Sequence, residues 1–261
     1  MYHHRQSFFR LPISFTFMTK SLYIVTGSSK GLGKALVDKL IASDANVVVG
    51  VSRSAKEAKP NFVPVALDLA DTEALIQNVD KIFPAEAFQE IYLINNAGWI
   101  GEITALGKLQ PHGIRDIQAI NVIAPAILIN EFVRRYGDNK AKKVVVNISS
   151  GAAGKAIDGW SGYCSSKAAL NQLSLVAEEE SKINNLAIKY YALSPGIIDT
   201  AMQEEIRAAS QEDFSSIEKF KAYKVDRQLS TPNEVASKIL YMLKHTDRFS
   251  EVLQDVRHFE V

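Results

Sequence analysis

The chain has 261 residues, 47% of them hydrophobic, and a formal net charge of +1. This length fits a single α/β domain of roughly 250 residues, and the near-zero charge gives no field that attracts nucleic acid or an anionic membrane, so neither is expected as a partner. The single cysteine, Cys164, excludes an internal disulfide and favours a reducing, cytoplasmic location. The five histidines do not cluster with cysteine or carboxylates at metal-ligand spacing, so no metal site is expected. No apolar run approaches the about 18 residues that span a bilayer.

The first residues differ in character from the rest of the chain. Residues 1–17 contain two arginines and several aromatic side chains but no acid, a composition that partly resembles a targeting presequence. An upstream start codon is the alternative, because Met18 lies just before the first predicted strand. We therefore expect residues 1–19 to be a dispensable extension and residues 20–261 to form the folded domain.

The first predicted strand, residues 22–26, is a continuous apolar run of the kind that is buried on both faces of a parallel sheet. It stops at a glycine-rich turn, and a helical pattern follows. Glycines let the backbone approach a pyrophosphate, and a helix N-terminus offers free N–H groups and a positive dipole end. The G-x-x-x-G-x-G spacing therefore favours a dinucleotide-binding turn over a plain strand-to-helix turn. Its candidate contacts are Gly27, Ser29, Lys30, Gly31, Leu32 and Gly33.

The second predicted strand, residues 46–51, ends at Ser52 and Arg53. An acid at this point binds the adenosine ribose hydroxyls, whereas an arginine accommodates a 2′-phosphate. The acid is missing here, and Lys30 in the glycine turn adds a second positive charge. We therefore predict NADPH rather than NADH as the cofactor, with a solvated surface arginine as the alternative reading of Arg53.

The third predicted strand, residues 62–67, ends at Asp68 and Leu69. The Asp68 carboxylate is suited to accept a hydrogen bond from the adenine amino group. Helix capping is an equally simple role, because a helix is predicted over residues 72–83.

The fourth predicted strand, residues 91–94, runs into the sequence Asn95-Asn96-Ala97-Gly98. Two amides followed by two small residues suit a ligand that lies across the end of the strand. Trp99 follows, either as a wall of the pocket or as a packing residue.

A helix is predicted over residues 114–135, with Asn121 and Pro125 inside it. A proline inside a helix removes a backbone hydrogen bond and kinks the helix. We therefore expect a kink that exposes the carbonyl about four residues earlier, near Asn121.

The fifth predicted strand, residues 144–148, ends at Ser149 and Ser150, and the helix that follows carries Tyr163 and Lys167. Helical residues four apart lie on one face. A phenol titrates near ~10 in water, and a neighbouring ammonium favours the phenolate. We therefore expect Lys167 to lower the pKa of Tyr163 toward a value suited to proton transfer. Such a pair is also common on a solvated helix face, so its meaning depends on its surroundings.

The sixth predicted strand, residues 188–193, ends at Ser194-Pro195-Gly196. Residues 197–230 are charged and helix-prone, with sparse apolar anchors. A long insertion at this end of a strand predicts a lid over a site, and a peripheral helical pair is the alternative. A short last strand is predicted over residues 252–256.

The alternation of strands and helices predicts one parallel sheet covered on both faces. In such sheets ligands bind outside the carboxyl ends of the strands, where every polar feature described above is found. The predicted fold is a single-domain Rossmann fold, a doubly wound parallel sheet of about seven strands with a helical lid.

These motifs, in this order, resemble the short-chain dehydrogenase/reductase family over residues 20–261. The matching segments are 26–33, 95–98, Asn121, Ser150, Tyr163-x-x-x-Lys167 and Pro195-Gly196. The resemblance implies a catalytic tetrad of Asn121, Ser150, Tyr163 and Lys167, in which Ser150 rather than Ser149 has the family's spacing from the tyrosine. In that scheme Tyr163 is the proton donor and Asn121 anchors a water molecule that connects Lys167 to solvent.

The resemblance also implies cofactor contacts beyond the glycine turn and Arg53. They are Asp68, Leu69, Asn95, Ala97, Gly98, Tyr163, Lys167, Pro195, Gly196, Ile198 and Thr200.

A narrower resemblance concerns the segments 159–164, 177–180 and 195–203. They look like the sepiapterin reductase and benzil reductase branch, which uses NADPH to reduce a carbonyl next to a second carbonyl. A carboxylate near the C-terminus anchors the pterin in sepiapterin reductases, and Asp255 lies in the comparable segment. The family's glycine before the last strand is replaced here by Ser250-Glu251. The residues expected to contact substrate are Ser150, Trp99, Trp160, Met202 and Asp255.

The predicted activity is therefore NADPH-dependent reduction of a small dicarbonyl of the benzil type. Reduction of a pterin side chain is one alternative, and a non-catalytic NADPH-binding regulator on the same fold is another. The resemblance implies a homodimer or homotetramer that associates through the helices around residues 114–135 and 161–182.

Overall fold

The computed structural model of the protein describes residues 20–54 and 57–260. Its strands are β1 (Ser21–Thr26), β2 (Asn46–Ser52), β3 (Phe62–Ala66), β4 (Glu90–Asn95), β5 (Lys142–Ile148), β6 (Ile188–Ser194) and β7 (Leu253–Asp255). They form one parallel sheet in the order β3-β2-β1-β4-β5-β6-β7. The predicted seven-stranded, doubly wound sheet is thus confirmed, and the predicted extension over residues 1–19 lies outside the described residues.

Helices cover both faces of this sheet. They are α1 (Gly31–Leu40), α2 (Thr72–Asn78), α3 (Pro111–Gln118), α4 (Ala124–Tyr136), α5 (Ser161–Ile183), α6 (Ala201–Arg207), α7 (Ile217–Val225) and α8 (Pro232–Lys244). The apolar sides of α1 and α8 share one buried cluster with inward residues of β1, β4 and β5. The apolar sides of α2, α4 and α5 share a second cluster on the opposite face. Burial on both faces explains why the central strands read as unbroken apolar runs.

The chain reverses its direction of travel across the sheet at β1. It proceeds outward through β2 and β3, then returns through α2 to place β4 on the other side of β1. Such a switch point leaves a crevice at the carboxyl ends of the strands, because the connecting helices diverge there. The glycine turn after β1 and the residues after β4 therefore flank one crevice.

The helix predicted over residues 114–135 is interrupted rather than simply kinked. A π-helical turn, Ala119–Ile123, separates α3 from α4. Pro125 has no N–H to donate to the carbonyl of Asn121, and the Ala124 N–H bonds to the carbonyl of Ala119, five residues back. Asn121 lies in this wider, π-helical turn, and its side chain is fully buried in the protein.

The segment Pro111–Tyr136 has the length and composition of a helix that could cross a membrane. Of its most apolar window, 44% is buried inside the protein. Its side chains at Leu128 and Phe132 lie in the second core cluster, so the segment is accounted for as a core helix.

Some predicted boundaries differ from the structure. The helix predicted over residues 72–83 stops at Asn78, and a short 3₁₀ turn, Val79–Lys81, follows. The last strand covers Leu253–Asp255, because a 3₁₀ turn begins at Val256.

Residues 197–230, here called the lid segment, contain α6 and α7 and lie over a third buried cluster. In that cluster, Ile206 and Phe214 of the lid segment pack with Trp160 and Tyr163. The lid segment is therefore packed onto the helix that carries Tyr163, as the lid interpretation expects, and is not a peripheral pair.

The close approach of α1 to the turn after β1 can be tested at Gly33. A Cβ atom at Gly33 would lie 2.2 Å from the Gly27 carbonyl oxygen and 2.5 Å from Asn96 Nδ2, so the backbone would have to move. We expect Gly33→Ala to lower the free energy of unfolding by about 1–3 kcal/mol, the usual effect of overpacking. Urea denaturation of the cofactor-free protein measures this. The matched control is Gly154→Ala, where a Cβ meets nothing within 4 Å; equal stability of the two variants would contradict the close packing.

Candidate active site

The turn after β1 has the backbone shape of a phosphate cradle. Gly27 and Gly31 have φ angles of 67° and 55°, in the left-handed region that glycine tolerates. Lys30, at the N-cap of α1, makes no capping bond with its side chain. The first N–H groups of α1 are therefore not capped by the side chain of the N-cap residue, which suits an anionic ligand.

Thr26 and Asn96 brace this cradle against the end of β4. The Thr26 hydroxyl accepts hydrogen bonds from the N–H groups of Asn96 and Ala97, each 3.0 Å long. The Asn96 amide donates to the Thr26 carbonyl at 2.9 Å. Asn96 was not among the predicted cofactor contacts, and its role is to position the cradle.

Asn95, the preceding residue, points the other way. Its Nδ2 donates to Asn147 Oδ1 at 2.9 Å, and Asn147 Nδ2 in turn donates to the Ser174 hydroxyl at 2.8 Å. Asn95 Oδ1 is buried without a hydrogen-bond partner among the described residues. The side chain thus joins β4 to β5 and α5 beneath the crevice and retains one unused acceptor.

The two serines after β5 have different neighbours. The Ser149 hydroxyl is buried and donates to Asn171 Oδ1 of α5. The Ser150 hydroxyl accepts from the Ala152 N–H at 3.1 Å and lies close enough to the Tyr163 phenol to lower its pKa. Only Ser150 is therefore placed to share a ligand oxygen with Tyr163.

Burial dominates the electrostatics of Tyr163 and Lys167. Burial raises the pKa of Tyr163 to about 12, although the nearby Ser150 hydroxyl opposes this. Burial lowers the pKa of Lys167 to about 8. Lys167 Nζ donates to the Ile148 carbonyl at 2.8 Å and lies 5.7 Å from the centre of the Tyr163 ring. The predicted direction of the Tyr163 pKa shift is therefore wrong for this structure, because the loss of water raises the phenol pKa and the Lys167 ammonium bonds to the backbone rather than to the phenol.

Asn121 is held by protein groups on every side. Its Oδ1 accepts from the Trp99 N–H at 2.9 Å, and its Nδ2 donates to the Trp99 carbonyl at 2.9 Å and the Ser166 hydroxyl at 3.0 Å. Ser166, which was not predicted, donates in turn to the Tyr163 carbonyl at 2.8 Å. The described contacts of the Asn121 side chain are thus structural, and they tie the segment after β4 to α5.

Gly98 lies where Asn121 and Lys167 approach each other. A Cβ atom at this position would be 3.5 Å from both Asn121 Oδ1 and Lys167 Nζ. Gly98 is itself exposed. Gly98 therefore forms part of one wall of the crevice, and the side chains of Asn121 and Lys167 lie directly behind it.

The residues after β6 close the opposite wall. Gly196 has a φ angle of 72°, and the Thr200 methyl would lie 3.3 Å from a Cβ at Gly31. Ile198 is buried and pairs with Ser230 in an isolated bridge. The predicted segment from Pro195 to Thr200 thus faces the glycine turn across the crevice.

The remaining predicted cofactor contacts are more exposed. Arg53 is exposed and forms no ion pair with the described residues. Asp68 is also exposed, and its carboxylate accepts from the Ala70 N–H, whereas Asp71 caps α2. Leu69 is buried in the second core cluster.

The predicted substrate residues fall into two groups. Trp160 is buried in the cluster that contains Tyr163, and Trp99 and Met202 pack against it. Asp255 instead lines a cavity of about 520 Å³ that reaches Ser150 but none of those three residues. Its carboxylate accepts two hydrogen bonds from the Arg257 guanidinium, which hold the pKa of Asp255 below its usual range.

The crevice at the switch point of the sheet fits a nicotinamide dinucleotide. The glycine turn with its positive φ angles and the exposed Arg53 at the end of β2 both lie at the carboxyl ends of the strands, beside the switch point of the sheet. A side chain at Gly27 or Gly33 would collide with Asn96 or with backbone atoms. The backbone can therefore approach a pyrophosphate as closely as such a cofactor requires.

Comparison with known proteins agrees with this geometry. The family model described as short chain dehydrogenase matches residues 21–211. A benzil reductase, (S)-benzoin forming, from Bacillus cereus is 32% identical over 87% of this chain and 95% of its own. A sepiapterin reductase from Meriones unguiculatus is 29% identical over 85% of this chain and 90% of its own.

Solved structures give the same result. A 4-hydroxyisoleucine dehydrogenase complexed with NADH superposes with a TM-score of 0.75 and 25% identity, covering 91% of this chain and 96% of that one. The predicted resemblance is confirmed. The chain belongs to the short-chain dehydrogenase/reductase family, oxidoreductases that act on CH–OH and C=O groups with a nicotinamide cofactor.

Proposed function

We propose that this protein is an NADPH-dependent carbonyl reductase whose substrate is a small dicarbonyl of the benzil type. The observation that carries the proposal is the group formed by the half-buried Ser150 and the buried Tyr163 and Lys167 at the carboxyl end of β5. The similarity to bacterial benzil reductases supports the choice of substrate class. We also propose that the protein acts in the cytoplasm as a homodimer or homotetramer.

Tyr163 is proposed to donate the proton that completes the reduction. When bound, the nicotinamide supplies a hydride to the carbonyl carbon. A pKa near 12 keeps the Tyr163 phenol protonated at neutral pH, so it is ready to act as an acid. The Ser150 hydroxyl beside it donates to the same developing alkoxide and stabilises its charge.

Lys167 is proposed to support the phenolate that remains after proton transfer. With a pKa near 8, the ammonium is largely protonated at neutral pH. In a site without water, a positive charge close to the phenol stabilises a phenolate more strongly than it would in solution. Lys167 also lies beside Gly98 in the crevice wall, where it would hold the ribose of the nicotinamide.

The arrangement of Asp255 favours a diketone over a pterin. Arg257 already occupies this carboxylate through paired hydrogen bonds, so the carboxylate is not free to anchor the guanidine-like edge of a pterin. Asp255 is also separated from the cluster that contains Trp160 and Tyr163. Sepiapterin therefore serves as the competing substrate in the tests below.

The activity is tested by following NADPH oxidation with benzil, diacetyl and sepiapterin. We expect turnover of the diketones, and we expect Tyr163→Phe to reduce that turnover by about 100- to 1,000-fold, because a transition-state proton donor is lost. NADPH binding by the variant, measured by fluorescence, should be unchanged. The control Tyr136→Phe removes only a hydrogen bond to the Pro84 carbonyl at the opposite edge of the sheet. Full turnover by Tyr163→Phe would refute the mechanism, and tight NADPH binding without turnover of any substrate would favour the regulator.

Arg53 is expected to determine the cofactor preference. Its loss removes a charge-assisted contact with the 2′-phosphate, which is worth about 1.5–3 kcal/mol. We therefore expect Arg53→Asp to lower the NADPH-to-NADH ratio of kcat/KM by about 10- to 100-fold. The control is Arg115→Asp, the same charge reversal on the exposed surface of α3. An unchanged ratio in Arg53→Asp would show that the arginine is only a solvated surface residue.

The buried Lys167 ammonium predicts a characteristic dependence of stability on pH. Its pKa falls from 10.5 in the unfolded chain to about 8 in the folded protein, so between these pH values the unfolded state binds more protons. The stability of the wild type relative to Lys167→Met should therefore be constant below about pH 8 and rise above it, by about 3 kcal/mol by pH 10.5. Urea denaturation of both cofactor-free proteins across this range measures the difference. A difference that stays constant would mean that the Lys167 pKa is not lowered by burial.

A further inference from the structure

Four side-chain polar atoms among the described residues are buried without a hydrogen-bond partner, one at the end of β4 and three where the lid segment meets the start of α5. They are Asn95 Oδ1, Trp160 Nε1, Gln203 Oε1 and Arg207 Nη1. Asn95 lies beneath the crevice described above. The other three lie on α6 or directly before α5, at the place where the lid segment packs on the helix of Tyr163. Buried polar groups are nearly always paired in proteins, so a concentration of unpaired ones at one site indicates a ligand.

Trp160 presents a hydrogen-bond donor next to Tyr163. Only 5% of its surface is exposed. Its indole ring meets the Tyr163 ring edge-on, with the ring centres 5.6 Å apart, and stacks on Phe214 of the lid segment at 5.2 Å. The indole Nε1–H can only donate, so its natural partner is a carbonyl or another acceptor oxygen.

Gln203 presents an amide on the same side of the site. It is 9% exposed and lies three residues before Ile206, which belongs to the cluster of Trp160 and Tyr163. Residues three apart share a helix face, so Gln203 faces that cluster. A rotation of the amide exchanges its oxygen and nitrogen, so the side chain can accept from a hydroxyl or donate to a carbonyl.

We propose that Trp160 Nε1–H and the Gln203 amide bind the second oxygen of the substrate, the one that is not reduced. The inference rests on the proposed function, in which Tyr163 and Ser150 hold the reacting carbonyl. A vicinal dicarbonyl carries a second acceptor oxygen one bond away, and that oxygen remains in the hydroxyketone product. Trp160 and Gln203 thus determine specificity, and they distinguish a dicarbonyl from a simple ketone of the same shape.

The selection follows from the free-energy cost of burying polar groups beside a ligand that does not bond to them. A simple ketone leaves the Trp160 N–H and the Gln203 amide buried and unpaired, whereas a dicarbonyl supplies their missing partner. A site built to bond a polar group rejects an analogue that lacks it more strongly than a site that merely fits the analogue's shape.

The two tryptophans of the chain make this contact directly observable. Only Trp99 and Trp160 contribute indole N–H resonances to a proton NMR spectrum, and Trp160→Phe assigns them. With NADP⁺ bound, so that no reduction occurs, we expect saturation with diacetyl to move the Trp160 N–H resonance downfield. Butanone, which lacks the second oxygen, should leave it in place. Neither ligand has an aromatic ring, so ring currents from the ligand do not contribute.

Kinetics provide the second readout. We expect Trp160→Phe and Gln203→Met each to lower the ratio of kcat/KM for diacetyl to kcat/KM for butanone by about 10-fold, equivalent to about 1.4 kcal/mol. The matched control is Gln211→Met, because Gln211 is exposed on the lid segment and bonds only to the Ser215 carbonyl. Thermal melting and NADPH binding verify that each variant is folded.

The outcomes separate this inference from the proposed function. If the wild type reduces neither benzil nor diacetyl, the proposed function fails. If the wild type reduces diacetyl, but both variants keep the wild-type preference and the Trp160 resonance does not move, this inference is overturned and the proposed function stands. If Trp160→Phe does not fold, Gln203→Met decides on the kinetics.

Discussion

The removal of Tyr163 and Lys167 from water is the constraint on which the site depends. Burial raises the pKa of the phenol to about 12 and lowers that of the ammonium to about 8, so two values that are nearly equal in solution lie far apart in the protein. The protein replaces part of the lost hydration with one contact for each group, the Ser150 hydroxyl for Tyr163 and the Ile148 carbonyl for Lys167. A charged lysine with a single described partner destabilises the fold, and the two large apolar clusters on either face of the sheet offset that loss.

The sheet and the glycine turn were predictable because they depend on short-range properties of the chain. A strand buried on both faces needs an unbroken apolar run, and β1 consists of one. Gly27 and Gly31 adopt positive φ angles that other residues disfavour, so glycine spacing in the sequence reports backbone shape directly. The carboxyl ends of parallel strands must share one edge, which brought the predicted residues together without any knowledge of tertiary contacts.

Other features of the site depend on orientation and burial, which the sequence does not contain. Consecutive residues in extended backbone point to opposite sides, so Asn95 and Asn96 have separate roles, and only the register assigns them. The serine after β5 was assigned from its spacing to Tyr163 in the family resemblance. The direction of the phenol pKa was mispredicted because the spacing of Tyr163 and Lys167 gives their proximity but not their exclusion from water. Pro125 predicted a kink near Asn121, but a proline alone does not specify the hydrogen bond to the fifth preceding residue that makes the π-turn.

Hydrogen bonds at the exposed rim of the lid segment hold it in place, whereas the buried polar groups beneath it do not. Asp158 accepts hydrogen bonds from both the N–H and the hydroxyl of Ser215, and Asp213 accepts one from Thr104. The bonds from Ser215 hold the pKa of Asp158 below its usual range, and bonds from Ser210 and Thr104 do the same for Asp213, so both carboxylates remain ionised at neutral pH. Beneath the rim, the unpaired Trp160 and Gln203 atoms favour opening. If Trp160 and Gln203 bind the second oxygen of the substrate as proposed, the rim would favour closure whatever the ligand and the interior only with a matching ligand, so that closure itself would be selective.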